Sequence, residues 1–171
     1  FEQYGIGGIA HLASLLSKIR ALNIPFILDA TRGDIGSTAA AYCSAYLSGY
    51  KVLGEKFGAP FEVDAITVNP FLGFNTVQTF VDVCAQYKKG LFVLVKTSNP
   101  GSHEIQSLCI QESNSNDVSS LVARWISNNS EKLLGGCGVS GLGAVVGATY
   151  PQDQKRLREI MPNSLFLIPG V

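Results

Sequence analysis

The chain has 171 residues, 46% of them hydrophobic and 15% charged, and its 13 Lys+Arg balance 13 Asp+Glu. That length suits one domain with a packed core, and a neutral chain without a basic block lacks the electrostatic footprint of a nucleic-acid binder. No apolar run approaches the ~20 residues of a membrane-spanning helix, so the apolar residues are expected in a folded interior.

The predicted elements alternate. His11 to Leu22 carries Leu12, Leu15, Leu16 and Ile19 at the spacing of one buried helix face. Phe26-Ile-Leu28 is a short apolar strand ending at Asp29, and the Ala-rich stretch Thr38 to Leu47 reads as the next helix, with Asp34 or Ser37 as its expected cap. Ala65-Ile-Thr-Val68 is a strand stopped by Asn69-Pro70, followed by helix Asn75 to Tyr87 with Val77, Phe80, Val81 and Cys84 on one side. Leu91-Phe-Val-Leu-Val95 is continuously apolar, as a strand covered on both faces should be. Val118 to Ile126 is helical, Ala144-Val-Val146 a strand, Gln152 to Met161 a helix, and Leu165-Phe-Leu-Ile168 a last strand. Such alternation implies an α/β fold of parallel strands joined by right-handed crossovers. A barrel and an open doubly wound sheet both satisfy it. In either, the polar residues just past the strand ends (Asp29, Asn69, Lys96-Thr97-Ser98, Thr149) mark the functional rim.

Cys43, Cys84, Cys109 and Cys137 form no CxxC pair, and His11 and His103 are not at metal-ligand spacing, so buried reduced thiols and no metal site are expected. No charged segment followed by an apolar one opens the chain, which fits a cytoplasmic protein. Gly136-Cys-Gly-Val-Ser-Gly141 matches G-x-G-x-x-G, but a dinucleotide site needs a strand before the glycines and a helix after them. Here the order is inverted, and a flexible helix-to-strand loop is expected instead.

Ile27-Leu-Asp-Ala-Thr-Arg-Gly-Asp-Ile-Gly-Ser-Thr38 sets Asp29 and Asp34 on either side of Arg32 at a strand-to-helix turn. Read plainly, Asp29 ends the strand, Arg32 pairs with a carboxylate and Asp34 caps the helix. The segment also resembles the signature of the orotidine-5′-phosphate decarboxylase family, D-x-K-x-x-D-I-G-x-T, with matches at Asp29, Asp34, Ile35, Gly36 and Thr38. Further blocks resemble its longer, bacterial-type subgroup in family order: Phe1-Glu-Gln-Tyr-Gly5, Val68-Asn-Pro-Phe-Leu-Gly73, Val93-Leu-Val-Lys-Thr-Ser-Asn-Pro-Gly-Ser102, Val145-Val-Gly-Ala-Thr-Tyr-Pro151 and Leu167-Ile-Pro-Gly170.

The resemblance implies a (β/α)₈ TIM barrel, here partial and forming a single incomplete domain over residues 1–171. It implies a homodimer with shared active sites and a cofactor-free reaction, orotidine 5′-phosphate to UMP and CO₂ in pyrimidine biosynthesis. By position, Asp29 would lie near the substrate carboxylate and Asp34 would reach into the neighbouring subunit's site with Ile35 and Thr38. Ser98 would contact the pyrimidine edge, while Asn69 and Pro169 would help bind substrate. Lys96 is read as a solvated or ion-paired lysine at a strand end and is given no catalytic role.

One position departs from the pattern. Thr31 stands where the family carries the lysine that stabilises and protonates the C6 carbanion. A threonine hydroxyl is neutral and short and supplies neither charge nor proton, while Arg32 holds its own proton too tightly to replace it. Both chain ends read as cuts within a fold. A further lysine of the family's charged network is expected upstream of Phe1, and the glycine-rich segment and phosphate-gripping arginine after Val171. Two other readings stand beside an impaired decarboxylase. One is an inactive relative that binds nucleotide or partners an active subunit. The other is a metal-dependent sugar-phosphate enzyme with a similar D-x-K-x-x-D motif.

Overall fold

In the computed structural model, which describes residues 1–111 and 117–170, five strands form one parallel sheet. They are β1 (Ile27–Arg32), β4 (Ala65–Val68), β5 (Gly90–Lys96), β6 (Ser140–Val146) and β7 (Ser164–Leu167). Their spatial order, β1-β4-β5-β6-β7, is their chain order. A doubly wound sheet reverses direction at a switch point, whereas a barrel adds each strand beside the last. The topology therefore decides between the two architectures, in favour of a partial α/β barrel.

The helices are α1 (Gly5–Ala21), α2 (Gly36–Cys43), α3 (Phe74–Tyr87), the short α4 (His103–Gln106), α5 (Val118–Asn129) and α6 (Pro151–Ile160). The main core lies between them and the sheet, where Ile66, Val68, Leu91, Val93, Leu142 and Ala144 meet Val77, Phe80, Val81, Ile126 and Leu157. Each of these side chains larger than alanine contributes about 1.5–3 kcal/mol when withdrawn from water. Alternate strand residues face the other way: Ala65, Phe92 and Val145 pack with Leu94 and Leu167 on what is the barrel interior. Behind β5 and β6, Asp117 caps α5 by accepting from Ser120 N–H (2.7 Å) and pairs with Arg156 of α6 (3.0 Å). Burial raises the Asp117 pKa, but Ser120, Ser119 and Arg156 outweigh it and hold the carboxyl below its ordinary range.

Several expectations are corrected. The first helix starts at Gly5 rather than His11, and of its predicted face only Leu16 is buried while Leu15 is 42% exposed. The second helix spans Gly36–Cys43 and runs into a π-turn, Ser44–Ser48. Neither Asp34 nor Ser37 caps it: Ile35 occupies the cap position, and Asp34 Oδ1 accepts from the adjacent Ile35 N–H at 2.8 Å. A hairpin of β2 (Tyr50–Val52) and β3 (Glu55–Phe57) escaped the sequence reading. Its turn residues Leu53 (φ 49°) and Gly54 (φ 88°) are both left-handed, as a two-residue hairpin requires. Leucine is a poor sequence signal for that geometry. Cys43 and Cys84 are buried, which pushes each thiol up to about 12, whereas Cys109 and Cys137 are exposed.

The segment Gly136–Gly141 does connect a helical turn, Ser130–Leu133, to a strand, and Ser140 and Gly141 already belong to β6. Its end is anchored, because Ser140 Oγ donates to the Ser130 carbonyl (2.7 Å) and Ser140 N–H to the Asn163 carbonyl (2.8 Å), while residues 136–139 are exposed.

Candidate active site

The end of β1 leaves the sheet ladder. Leu28 pairs with Ile66 and the next pair is Arg32 with Val68, so Asp29, Ala30 and Thr31 bulge opposite Thr67. Bulges re-aim side chains at the rims of barrels. Here the bulge closes on Thr67, which is fully buried at 0% exposure and shares the inward face of β4 with Ala65. Thr67 Oγ1 donates to Asp29 Oδ1 (2.8 Å) and accepts from Thr31 N–H (2.8 Å). Thr31 Oγ1 adds a longer bond to the same carboxylate oxygen (3.3 Å). Thr31 sits at φ 44°, a left-handed conformation that β-branched residues rarely adopt. Strain of this kind costs about 1–3 kcal/mol and clusters at functional sites.

Arg32 points away from this bulge. Its guanidinium pairs with Glu2 (2.5 Å), donates to Tyr46 Oη (3.2 Å) and lies over the Tyr42 ring. The Glu2 hydrogen bond raises the Arg32 pKa well above its ordinary value, and the same bond lowers that of Glu2. The expected pairing of Arg32 with a carboxylate is therefore present, through Glu2 rather than Asp29 or Asp34. Past the bulge, Asp34 is half-buried while Ile35, 62% exposed, and Thr38 lie open to solvent.

Next to the bulge the end of β4 is tied to β1, and the far side of the rim is built differently. Asn69 N–H donates to the Arg32 carbonyl (2.8 Å), and its Oδ1 accepts from Phe71 N–H (3.0 Å), closing a turn after β4. Gly147 N–H donates to the Lys96 carbonyl (2.7 Å) and Ala148 N–H to the Pro169 carbonyl (2.9 Å), so the ends of β5, β6 and β7 are stitched in series. Ser98 lies where they converge. A Cβ on Gly147 would come within 2.8 Å of Ser98 N, and one on Gly170 within 3.2 Å of Ser98 Oγ. Thr149 Oγ1 donates to the Ser98 carbonyl (3.2 Å). The structure thus brings Ser98, Thr149 and Pro169 together on one wall and Asp29 with Thr31 on another.

Two participants escaped the sequence reading. Thr67 was detectable as a hydroxyl on the inward phase of a strand whose other inward residue is Ala65. Gly147 had no signal beyond its place in residues 145–151, since the close approach that demands glycine is a tertiary fact. Lys96, expected to be solvated or ion-paired, is not solvated, and among the described residues it has no carboxylate partner. It is 2% exposed, donates to Ser107 Oγ (2.8 Å), and faces the Tyr150 ring at 5.1 Å.

Chemically, the bulge offers a fixed carboxylate with hydroxyl donors and, within hydrogen-bonding distance of it, no cation among the described residues. The opposite wall offers a hydroxyl and backbone groups suited to the edge of a planar polar ligand.

Comparison with known proteins agrees with this architecture. The Orotidine 5'-phosphate decarboxylase / HUMPS family matches residues 1–171. An orotidine 5'-phosphate decarboxylase of Caldicellulosiruptor bescii is 44% identical over 171 residues, which are 100% of this chain and 55% of that protein. The crystal structure of a putative orotidine 5'-phosphate decarboxylase from Streptomyces avermitilis superposes with a TM-score of 0.85 at 33% identity, covering 100% of this chain and 55% of that one. A Leishmania donovani OMP decarboxylase gives a TM-score of 0.77 at 34% identity, with 100% and 59% covered. The chain spans about half the length of the curated relatives it matches. With a match over its whole length and the motif's carboxylate fixed at the rim, the chain belongs to the orotidine 5'-phosphate decarboxylase / HUMPS family.

Proposed function

We propose that this chain carries part of a site for orotidine 5′-phosphate and its product UMP, within a barrel domain whose reaction is decarboxylation at C6. We propose further that Thr31 disables the chemical step. The observation that carries the first part is the Asp29–Thr67–Thr31 constellation at the rim, with Ser98 on the facing wall. Decarboxylation leaves a carbanion without an adjacent carbonyl as electron sink. A site accelerates it by favouring that charge over the ground state and by holding a proton donor against C6. In this reading Asp29 sets the carboxylate side of the site and Ser98 holds the pyrimidine edge, while Asn69 and Pro169 shape the wall. No cofactor takes part.

The second part is supported by the cations next to the site in sequence, both of which are committed elsewhere: Arg32 to Glu2 and Tyr46, Lys96 to Ser107 and Tyr150. Neither substitutes for a lysine at position 31. Losing one preorganised electrostatic group costs roughly a hundred- to thousandfold in rate, and here the same group would also carry the proton. The exposed Ile35 and Thr38 beside Asp34 suit a homodimer in which this segment completes the neighbour's site. A cytoplasmic role in pyrimidine biosynthesis follows from the same reading.

The alternative, a silent relative that binds nucleotide or pairs with an active subunit, is favoured by Thr31 itself. The test is a decarboxylation assay and UMP calorimetry on the full-length protein, with Thr31 and with Thr31→Lys. Turnover that rises at least a hundredfold in the lysine variant supports a decarboxylase with a lesion. UMP binding without turnover in either form supports the silent relative. Activity that depends on added Mg²⁺ rejects both in favour of metal-dependent chemistry.

A further inference from the structure

Lys96 is a charged side chain in a place that ordinarily excludes one. It is 2% exposed, and among the described residues no carboxylate lies within ion-pairing distance of its ammonium group. Burying a cation without a counter-charge is costly, and an apolar side chain of similar length could fill the same space more cheaply. What the ammonium group does touch is specific. It donates to Ser107 Oγ (2.8 Å), just after α4, and lies over the ring of Tyr150, just before α6.

These contacts fall on the two segments that enclose Ser98. The loop from Thr97 to Ser107 leaves β5 and returns, and Gln106 closes its base by accepting from Thr97 N–H (2.8 Å) and donating to Thr97 Oγ1 (2.8 Å). Lys96 fastens the next residue, Ser107, to the strand end. The loop after β6 carries Gly147, whose backbone leaves room for Ser98, and Thr149, which donates to the Ser98 carbonyl. Lys96 holds that loop twice, through its own carbonyl to Gly147 N–H (2.7 Å) and through the Tyr150 ring. The register of β5 against β6 also shifts between Leu94 and Lys96, so the ladder is irregular at the strand end that carries the lysine.

We infer that Lys96 is a positioning residue: it clamps the β5 and β6 loops together so that Ser98 presents its hydroxyl to the pyrimidine edge. This rests on the reading of Ser98 given above. Lys96 itself touches neither substrate nor reacting atoms.

The test is calorimetry on the full-length protein with two ligands, UMP and ribose 5-phosphate, which lacks the base. Lys96→Met keeps the volume and removes the charge. It is expected to weaken UMP binding about tenfold, the upper range for one hydrogen bond, and to leave ribose 5-phosphate binding unchanged. In the Ser98→Ala background Lys96→Met should cost nothing further for UMP. Ser107→Ala, a milder change at the other end of the same bond, should weaken UMP in the same direction and again spare ribose 5-phosphate. Equal losses for the two ligands, or full additivity with Ser98→Ala, would mean a merely structural staple and overturn the inference. If Lys96→Met does not fold, Ser107→Ala decides alone by the same ligand comparison. Absence of UMP binding in the unsubstituted protein overturns the functional reading and this inference with it. UMP binding indifferent to both substitutions overturns the inference alone.

Discussion

The end of β1 and the ends of β5, β6 and β7 contribute to the same rim, yet they are held in opposite ways. At β1 the ladder opens between Leu28 and Arg32, Thr31 takes a left-handed backbone, and one hydroxyl, that of Thr67, bonds both Asp29 and the Thr31 amide. Across the rim the loops are tied by successive backbone bonds, Gly147 to Lys96 and Ala148 to Pro169, with Ser98 set against two glycines. The first wall stores strain and depends on few contacts. The second is over-determined, and its tolerance is limited by space. Carboxylate chemistry is aimed by the first wall and a planar ligand would be gripped by the second. The two should therefore respond to substitution differently.

The larger response belongs to the packed wall. Gly147→Ala places a methyl within 2.8 Å of Ser98 N and 2.9 Å of its Cα, backbone atoms that cannot rotate aside. Forced overpacking costs about 1–3 kcal/mol, so thermal or urea melts should show a clear loss. UMP affinity should fall with it because the displaced atoms belong to Ser98. An unaltered melt would show that the wall yields more readily than its bonding suggests.

At the strained wall the expected loss is smaller. Thr67→Val keeps the shape but removes the hydroxyl that joins Asp29 to the Thr31 amide. Two hydrogen bonds are lost, but Asp29 and Thr31 are both exposed enough to recruit water in their place, so the net cost should be about 1 kcal/mol, below the ordinary sum for two bonds. Urea melts measure it directly. A loss as large as that of Gly147→Ala would erase the distinction between the walls.

How much of this was legible beforehand follows the same division. Helix α3 and strands β4 and β5 were readable because their apolar spacing reports burial directly. The choice between barrel and doubly wound sheet came only through the family resemblance, since strand order is a long-range property that alternation does not encode. Asp29, Asp34 and Ser98 stood out by motif, and the structure places each on or beside the rim. Thr67 and Gly147 did not stand out, because their roles exist only once β4 meets β1 and β6 meets β5. Lys96 departs from the expected solvation for a related reason. A lysine at a strand end is usually solvated, and only the return of the loop through Ser107 and the packing of Tyr150 bury it.

The smallest expected effect has the opposite sign and bears on the strain itself. At φ 44° Thr31 holds a conformation that glycine adopts without penalty. Thr31→Gly releases strain of about 1–3 kcal/mol but gives back about 0.5–1 kcal/mol in backbone entropy, along with the long 3.3 Å bond to Asp29. The balance is a stabilisation of about 1 kcal/mol or less, read as a small rise in melting temperature, with the Thr67 bond to the position 31 amide retained. A fall of more than about 1 kcal/mol instead would mean that the strain at Thr31 is below about 1 kcal/mol, too small to distinguish the two walls. The rise would show that the backbone at position 31 is held against the preference of its own side chain. Such a residue is maintained by its surroundings, and a lysine placed there would inherit a geometry already set by Thr67 and the bulge.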